Sequence, residues 1–299
     1  MMIVAMGEIL FDNFPGYRRI GGAPFNFAYH MRGLGFDARF ASRIGDDENG
    51  KKILSFLREK GFGTELIQTD PSHPTGEVNI SLDSRGVADF TILPDAAYDY
   101  IEADKAMVED LRKSSLVYFG TLVQRGPGFE TIQRLLSIME GMAHTIYDVN
   151  LRRDCYSETV IRSSLEKSDI VKLNHEELVV LSEMFRFHGE ERDFANYLME
   201  QYSISMVSVT KGEQGSALYT RDGCAEAGPA ADIDLVDTVG AGDGYTAVLA
   251  AGYMRELDIQ VIVDTAAEFA ARICGIEGAL PGKAEFYDPF RDIFHGGVS

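Results

Sequence analysis

Leu235-Val236-Asp237-Thr238-Val239-Gly240-Ala241-Gly242-Asp243-Gly244-Tyr245 runs straight into the helix-like stretch Thr246-Ala247-Val248-Leu249-Ala250-Ala251. Glycines at 240, 242 and 244 let the backbone turn tightly and bring N–H groups up to a ligand with no Cβ in the way. A helix starting there has first-turn N–H groups without intrahelical partners, and its dipole adds partial positive charge at the same end. Such a turn predicts an anion site of the phosphate-binding kind.

Asp243 is a poor choice for binding phosphate, because its carboxylate would repel it. A reaction explains it better: a substrate hydroxyl between Asp243 and a terminal phosphoryl group could lose its proton to the carboxylate as the oxygen attacks. The bland alternative is an N-cap, a position Asp fills well. The Gly-Ala-Gly-Asp run alone leaves the two readings even. The whole segment Asp-Thr-Val-Gly-Ala-Gly-Asp resembles the C-terminal signature of the ribokinase-like (PfkB) carbohydrate kinases. That resemblance implies an ATP-dependent sugar kinase with Asp243 as base. The backbone from Gly240 through Ala241 and Gly242 to Asp243 then stabilises the transferring phosphate.

The composition fits a soluble enzyme that handles small anions only where local charge allows it. Twenty-eight basic residues against 47 acidic ones give a net charge of −19. Such a surface repels nucleic acid and anionic membranes, and it repels ATP as well. A nucleotide site here needs helix N-termini, Mg2+ and a few basic side chains. Cys155, Cys224 and Cys274 are few and scattered, so neither a disulfide framework nor a structural zinc site is expected. The first residues lack a signal-peptide pattern and no run is long enough to span a membrane, so the expected location is the cytoplasm.

Upstream of the turn, strands and helices alternate from Leu116 to Thr210, which predicts a doubly wound, mainly parallel α/β sheet flanked by helices. In such sheets ligands collect at the C-terminal ends of the strands. Ile3 to Leu10 reads as a buried first strand, interrupted by Gly7 and Glu8, with Asp12 at its polar end. Asp12 is a candidate for gripping sugar hydroxyls, or else a turn residue ahead of Pro15-Gly16. Gly21-Gly22-Ala23-Pro24-Phe25-Asn26 places a double glycine before a Pro-started helix. It resembles the family's Gly-Gly-x-x-x-Asn stretch in its fructokinase form, which implies substrate contacts at Gly21, Gly22 and Asn26. Close packing is the structural alternative. Between Thr75 and Pro94 alternation replaces the helical rhythm, with Val78, Ile80 and Leu82, then the turn Asp83 to Gly86, then Phe90 and Ile92. This predicts a hairpin. In the resembling family such a piece is a small β-sheet lid, here about 13–21 and 75–100, inserted in one kinase domain spanning 1–299. It also offers a homodimer contact.

Three further motifs carry the resemblance. Asp148-Val149-Asn150-Leu151-Arg152 is similar to the Asp-x-Asn-x-Arg turn of fructokinase-like members and implies that Arg152 meets a phosphate or sugar oxygen, although the continuation Cys155-Tyr156 departs from the pattern. Asn174-His175-Glu176-Glu177 is similar to Asn-x-x-Glu, which implies that Asn174 and Glu177 hold waters of a phosphate-bound Mg2+. A capping box explains the same spacing. Thr210-Lys211-Gly212-x-x-Gly215 resembles the nucleotide-contacting turn, with Thr210, Gly212 and Gly215 near ATP, and a plain hairpin is its alternative. The resemblance also implies a monovalent-cation site, K+ by preference, from Asp237, Val239 and the loop at Gly278. Fructose is the leading acceptor. 2-Keto-3-deoxygluconate, ribose, a nucleoside, and a non-catalytic sugar or nucleotide sensor are the alternatives. Gly278 to Ala284 falls one residue short of a Walker loop, and the glycines of the 240 turn lack the third glycine of a dinucleotide fingerprint.

Overall fold

A computed structural model of the chain describes residues 1–82, 88–153, 155–229 and 234–296. Strand β1 (Met2–Met6) is apolar and enclosed after its first residue, as a strand covered on both faces must be. The chain then leaves this sheet through Gly7, Glu8 and Ile9 and joins another as β2 (Leu10–Phe14). The single strand expected over Ile3 to Leu10 is therefore two strands in different sheets. Gly7 makes the bend, packed so closely on Pro24 that a Cβ would sit 2.3 Å from its ring.

β3 (Tyr17–Gly21) precedes a helix over Ala23–Gly33, and β4 (Asp37–Gly45) precedes one over Glu48–Glu59. β5 (Ile67–Asp70), β6 (Gly76–Leu82), β7 (Ala88–Ile92) and β8 (Leu116–Gly120) follow. From there β9 (His144–Asp148), β10 (Ile170–Asn174), β11 (Met206–Thr210), β12 (Ser216–Thr220) and β13 (Gly223–Ala227) complete the strands. The helices Ala241–Met254 and Ile259–Cys274 close the core behind them.

The main sheet has the order β13-β12-β11-β10-β9-β8-β1-β4-β5. It is parallel from β5 to β11, and β12 and β13 are antiparallel additions at one edge. Alternate residues of each strand feed alternate cores, as a two-residue period requires. Ile3, Ala5, Tyr118 and Ile146 enter one core; Val4, Met6, Phe119 and Tyr147 enter the other. The parallel direction brings the ends Met6, Gly120, Asp148, Asn174 and Thr210 to one edge.

A smaller sheet of order β3-β2-β6-β7 forms the lid. Val78 and Ile80 point inward onto Leu10, Ala96, Tyr98 and Leu122, as their alternation predicts. The expected turn from Asp83 to Gly86 lies outside the described residues. The lid strands begin at Leu10, earlier than expected, and the end of the expected lid turns back to the body, where Arg125 donates to Asp99 at 2.5 Å. Across the lid strands Asn13 donates to Glu77 and Asn79, while Tyr17 on β3 is half-exposed and stacks on Phe14. Among the described residues no helix is long and apolar enough to cross a membrane.

Candidate active site

The decisive turn builds as its glycines require. Gly240 caps the helix Ala241–Met254 with φ +79°, the left-handed region, and a Cβ there would lie 2.2 Å from that of Ala279. Asp243 thus sits inside the first helical turn, three residues past the cap, and the N-cap reading fails. Its carboxylate turns away from the helix and accepts a 2.7 Å hydrogen bond from Nδ2 of Asn26. Burial pushes Asp243 up to about 6, and Asp148 adds to this, against the pull of Asn26, Lys172 and Arg152. Its residue surface is only partly covered, so the carboxylate is crowded by protein yet still reachable.

Asn26 is held by the other glycine pair. Gly22 caps the helix Ala23–Gly33 with φ +122°, and a Cβ on it would sit 2.4 Å from the carbonyl oxygen of Glu8. A Cβ on Gly21 would lie 2.4 Å from Oδ2 of Asp12. Gly21 thus leaves room for the Asp12 carboxyl, and Gly22 lets the helix start pack against the backbone at Glu8. Asp12 is raised to about 6, first by burial, with Arg152 opposing and Asp243 adding. Asn26 is buried, and its Oδ1 has no protein partner. Glu8, also buried, has an unpartnered Oε2, and burial pushes it up to about 8 despite its own N–H, Arg152 and the Ala23 N–H. The lone acceptor Asn26 Oδ1 and the Glu8 carboxyl, which keeps a proton to donate at neutral pH, fit a polyol, whose hydroxyls both donate and accept.

Beneath the turn lies a buried charge pair. Lys172 Nζ donates to Asp148 Oδ1 at 3.2 Å, and Asp148 Oδ2 accepts from Thr246 at 3.2 Å and from Tyr118 at 3.4 Å. Burial opposes the Lys172 charge, yet Asp148, Glu177 and Asp243 outweigh it and raise its pKa. A Cβ on Gly242 would come 3.4 Å from Nζ, so the ammonium lies directly against the glycine turn.

Asn174 and Glu177 form the capping box. Asn174 Oδ1 accepts from the Glu177 N–H and Glu177 Oε2 accepts from the Asn174 N–H, both at 2.8 Å, while Glu177 Oε1 accepts from the Leu151 N–H. Glu177 is buried and held by two backbone donors, so the pair does not fit direct ligation of Mg2+. It fits as fixed acceptors for the waters that Mg2+ keeps when it binds with phosphates. Thr210 ends β11 opposite Asn174. Gly212 has φ +57° and Gly215 φ +93°, and a Cβ on Gly215 would meet the Ala227 carbonyl at 2.0 Å, so packing accounts for Gly215.

Arg152 is exposed at the rim, and its charge acts on Glu8, Asp12 and Asp243 together. Asp237 lies beside Val239 and Gly278, the residues the sequence groups with it, and Arg19 joins them. Its Oδ1 accepts from the Val239 N–H at 3.0 Å, and its Oδ2 accepts from the Gly278 N–H at 3.1 Å and from Arg19 Nη1 at 3.0 Å. A cavity of about 590 Å³ lies elsewhere, around His144, Lys167 and Asp169 near the starts of β9 and β10. It includes none of these groups and lies at the opposite end of the strands from the glycine turn.

The structure brings together Asp12, Gly21, Gly22, Asn26, Asp243 and the turn, which the sequence reading also groups. That reading misses Glu8, Asp148, Lys172 and Arg19. A lysine inside the apolar run of β10, and a glutamate directly after β1, are charges in places where burial is costly, and that was the available signal.

The pfkB family carbohydrate kinase model matches residues 16–283. The chain is 28% identical over 268 residues to fructokinase-1 of Zea mays, spanning 83% of this chain and 81% of the maize protein. It is 28% identical over 275 residues to the 5-dehydro-2-deoxygluconokinase of Geobacillus kaustophilus, spanning 84% and 78%. In fold it is similar to the crystal structure of fructokinase with bound ATP from Xylella fastidiosa, at a TM-score of 0.82 and 21% identity over 98% of each chain.

Proposed function

The chain belongs to the pfkB family of carbohydrate kinases, and from that premise we propose that it transfers the γ-phosphoryl group of ATP to a hydroxyl of a small sugar, with fructose the first acceptor to test. The observation that carries this reading is the Asp243 carboxylate, inside a glycine-capped helix turn and aligned by Asn26. The acceptor hydroxyl gives its proton to Asp243 as its oxygen attacks phosphorus, and the bond to the leaving ADP oxygen breaks. The first-turn N–H groups, including those of Gly242 and Asp243, face the charge on the transferring group, and Lys172 adds a fixed cation beneath them. Asp12, Glu8 and Asn26 orient the sugar through its hydroxyls. Thr210 and Gly212 serve the nucleotide side, and Asn174 and Glu177 receive waters of Mg2+, which when bound screens the triphosphate charge.

A sugar acid is the second reading. Arg152 stands among three carboxyls and would pair with an acceptor carboxylate, and its guanidinium suits an oxyanion. The test is ADP formation with Mg-ATP and a panel of fructose, ribose, glucose, adenosine, 2-keto-3-deoxygluconate and 5-dehydro-2-deoxygluconate. Selective turnover of fructose supports the first reading. Selective turnover of a sugar acid that is lost in Arg152→Ala supports the second. ATP binding without turnover of any acceptor would favour a sensor.

A further inference from the structure

We propose that the guanidinium of Arg19, carried in on lid strand β3, takes the place of a monovalent cation beside the phosphate turn, so that this protein works without potassium and its turn is tied to the lid. The inference rests on the kinase reading for its effect on rate. Its geometry is independent of that reading.

Asp237 lies three residues before the helix cap Gly240, and its position therefore governs the turn. The N–H groups of Val239 and Gly278 both point at the Asp237 carboxylate, at 3.0 and 3.1 Å, and fix its oxygens so that their remaining lone pairs face a single cation position. The charge that remains is met by Arg19 Nη1 at 3.0 Å, while Arg19 Nη2 donates to Glu277 at 2.5 Å. A Cβ on Gly278 would come 3.1 Å from the same Nη1, so the guanidinium fills the space between the two loops. The guanidinium lies 4.8 Å from the Tyr17 ring centre and 5.6 Å from that of Phe14, and those two rings stack on each other at 4.7 Å within the lid. Only a quarter of the side chain is exposed.

The position of Arg19 in the lid gives the contact its consequence. Arg19 is the cross-strand partner of Asp12 in the β2–β3 ladder, so the two share a face. One side chain therefore neighbours the sugar-side carboxyl and holds the loop that leads into the phosphate turn. Raising the lid withdraws the charge from Asp237; lowering it restores the charge. Arg19 is a positioning residue that acts through Asp237 and the turn, and it touches no reacting atom.

The test compares wild type, Arg19→Ala and Arg19→Gln in potassium chloride and in choline chloride at about 0.1 M, where both salts screen equally. Wild-type melting temperature and ADP formation should be the same in the two salts. Each variant should lose rate in choline, roughly 10- to 100-fold, the size expected when a charged hydrogen bond is removed. Each should regain much of it in potassium, with a potassium-specific rise in melting temperature of about 2 °C or more. A wild type that is activated or stabilised by potassium overturns the proposal. So does a variant that loses rate but gains nothing from potassium, or one that behaves like wild type. If the variants fail to fold, the wild-type comparison decides alone. If no acceptor turns over, the kinase reading fails, while melting of wild type and Arg19→Gln in the two salts still decides the role of Arg19.

Discussion

At the scale of the residue, Asp243 and Asn26 stand 217 positions apart and share a 2.7 Å hydrogen bond that makes the carboxylate a directed acceptor. Asp243→Asn keeps the shape and removes the base. Turnover should fall by roughly 10²- to 10⁴-fold, while ATP affinity measured by calorimetry stays near wild type. The carboxylate acts only when ionised, and burial places it at about 6, so kcat/KM should hold above that pH and fall as pH drops through it. Asn26 lowers this value by donating to the ionised form. Asn26→Ala should therefore move the acid limb to higher pH, and a pH–rate profile whose limb stays in place would separate Asn26 from the base.

At the scale of the element, the helix Ala241–Met254 begins at a position that only glycine occupies without strain. In Gly240→Ala the φ of +79° and the Ala279 contact both resist the new methyl. The cost should be about 1–3 kcal/mol, read by urea denaturation, with weaker ATP binding as the turn shifts. The parallel strands impose a second constraint, because β9 and β10 lie side by side and bring Asp148 and Lys172 together out of water. Lys172→Met leaves Asp148 buried without its cation, and stability should drop by about 3–5 kcal/mol. Restoration of that stability in a Lys172→Met, Asp148→Leu double variant with rate still depressed would assign the pair to the turn rather than to the fold.

At the scale of the molecule, a net charge of −19 opposes the approach of Mg-ATP over the whole surface. Screening should weaken this repulsion more than the short contacts inside the site. Raising salt from about 0.01 to 0.15 M should lower the KM for Mg-ATP by roughly two- to threefold, and a rise in KM over that range would mean that the positive ground of Lys172 and the helix terminus dominates at distance.

What the sequence determined by itself were the features that repeat or that admit few residue types. The βα rhythm dictates the doubly wound sheet because a parallel strand needs a covering crossover, and alternation at Val78 and Ile80 dictates the lid hairpin. The glycine turns announce themselves because a side chain would meet both a φ of +79° and Ala279 at position 240, and the Glu8 carbonyl at position 22. Local spacing could also pair Asn174 with Glu177, but it could not choose between cap and metal contact, since both use the same separation. Tertiary structure alone decided the pairings across the chain: Asn26 with Asp243, Lys172 with Asp148, and Arg19 with Asp237. These join strands and loops that only the sheet order and the lid bring together. Electrostatic partnership depends on distance in space, so the charge state of Glu8 and the occupant of the Asp237 loop follow from packing and from no local pattern.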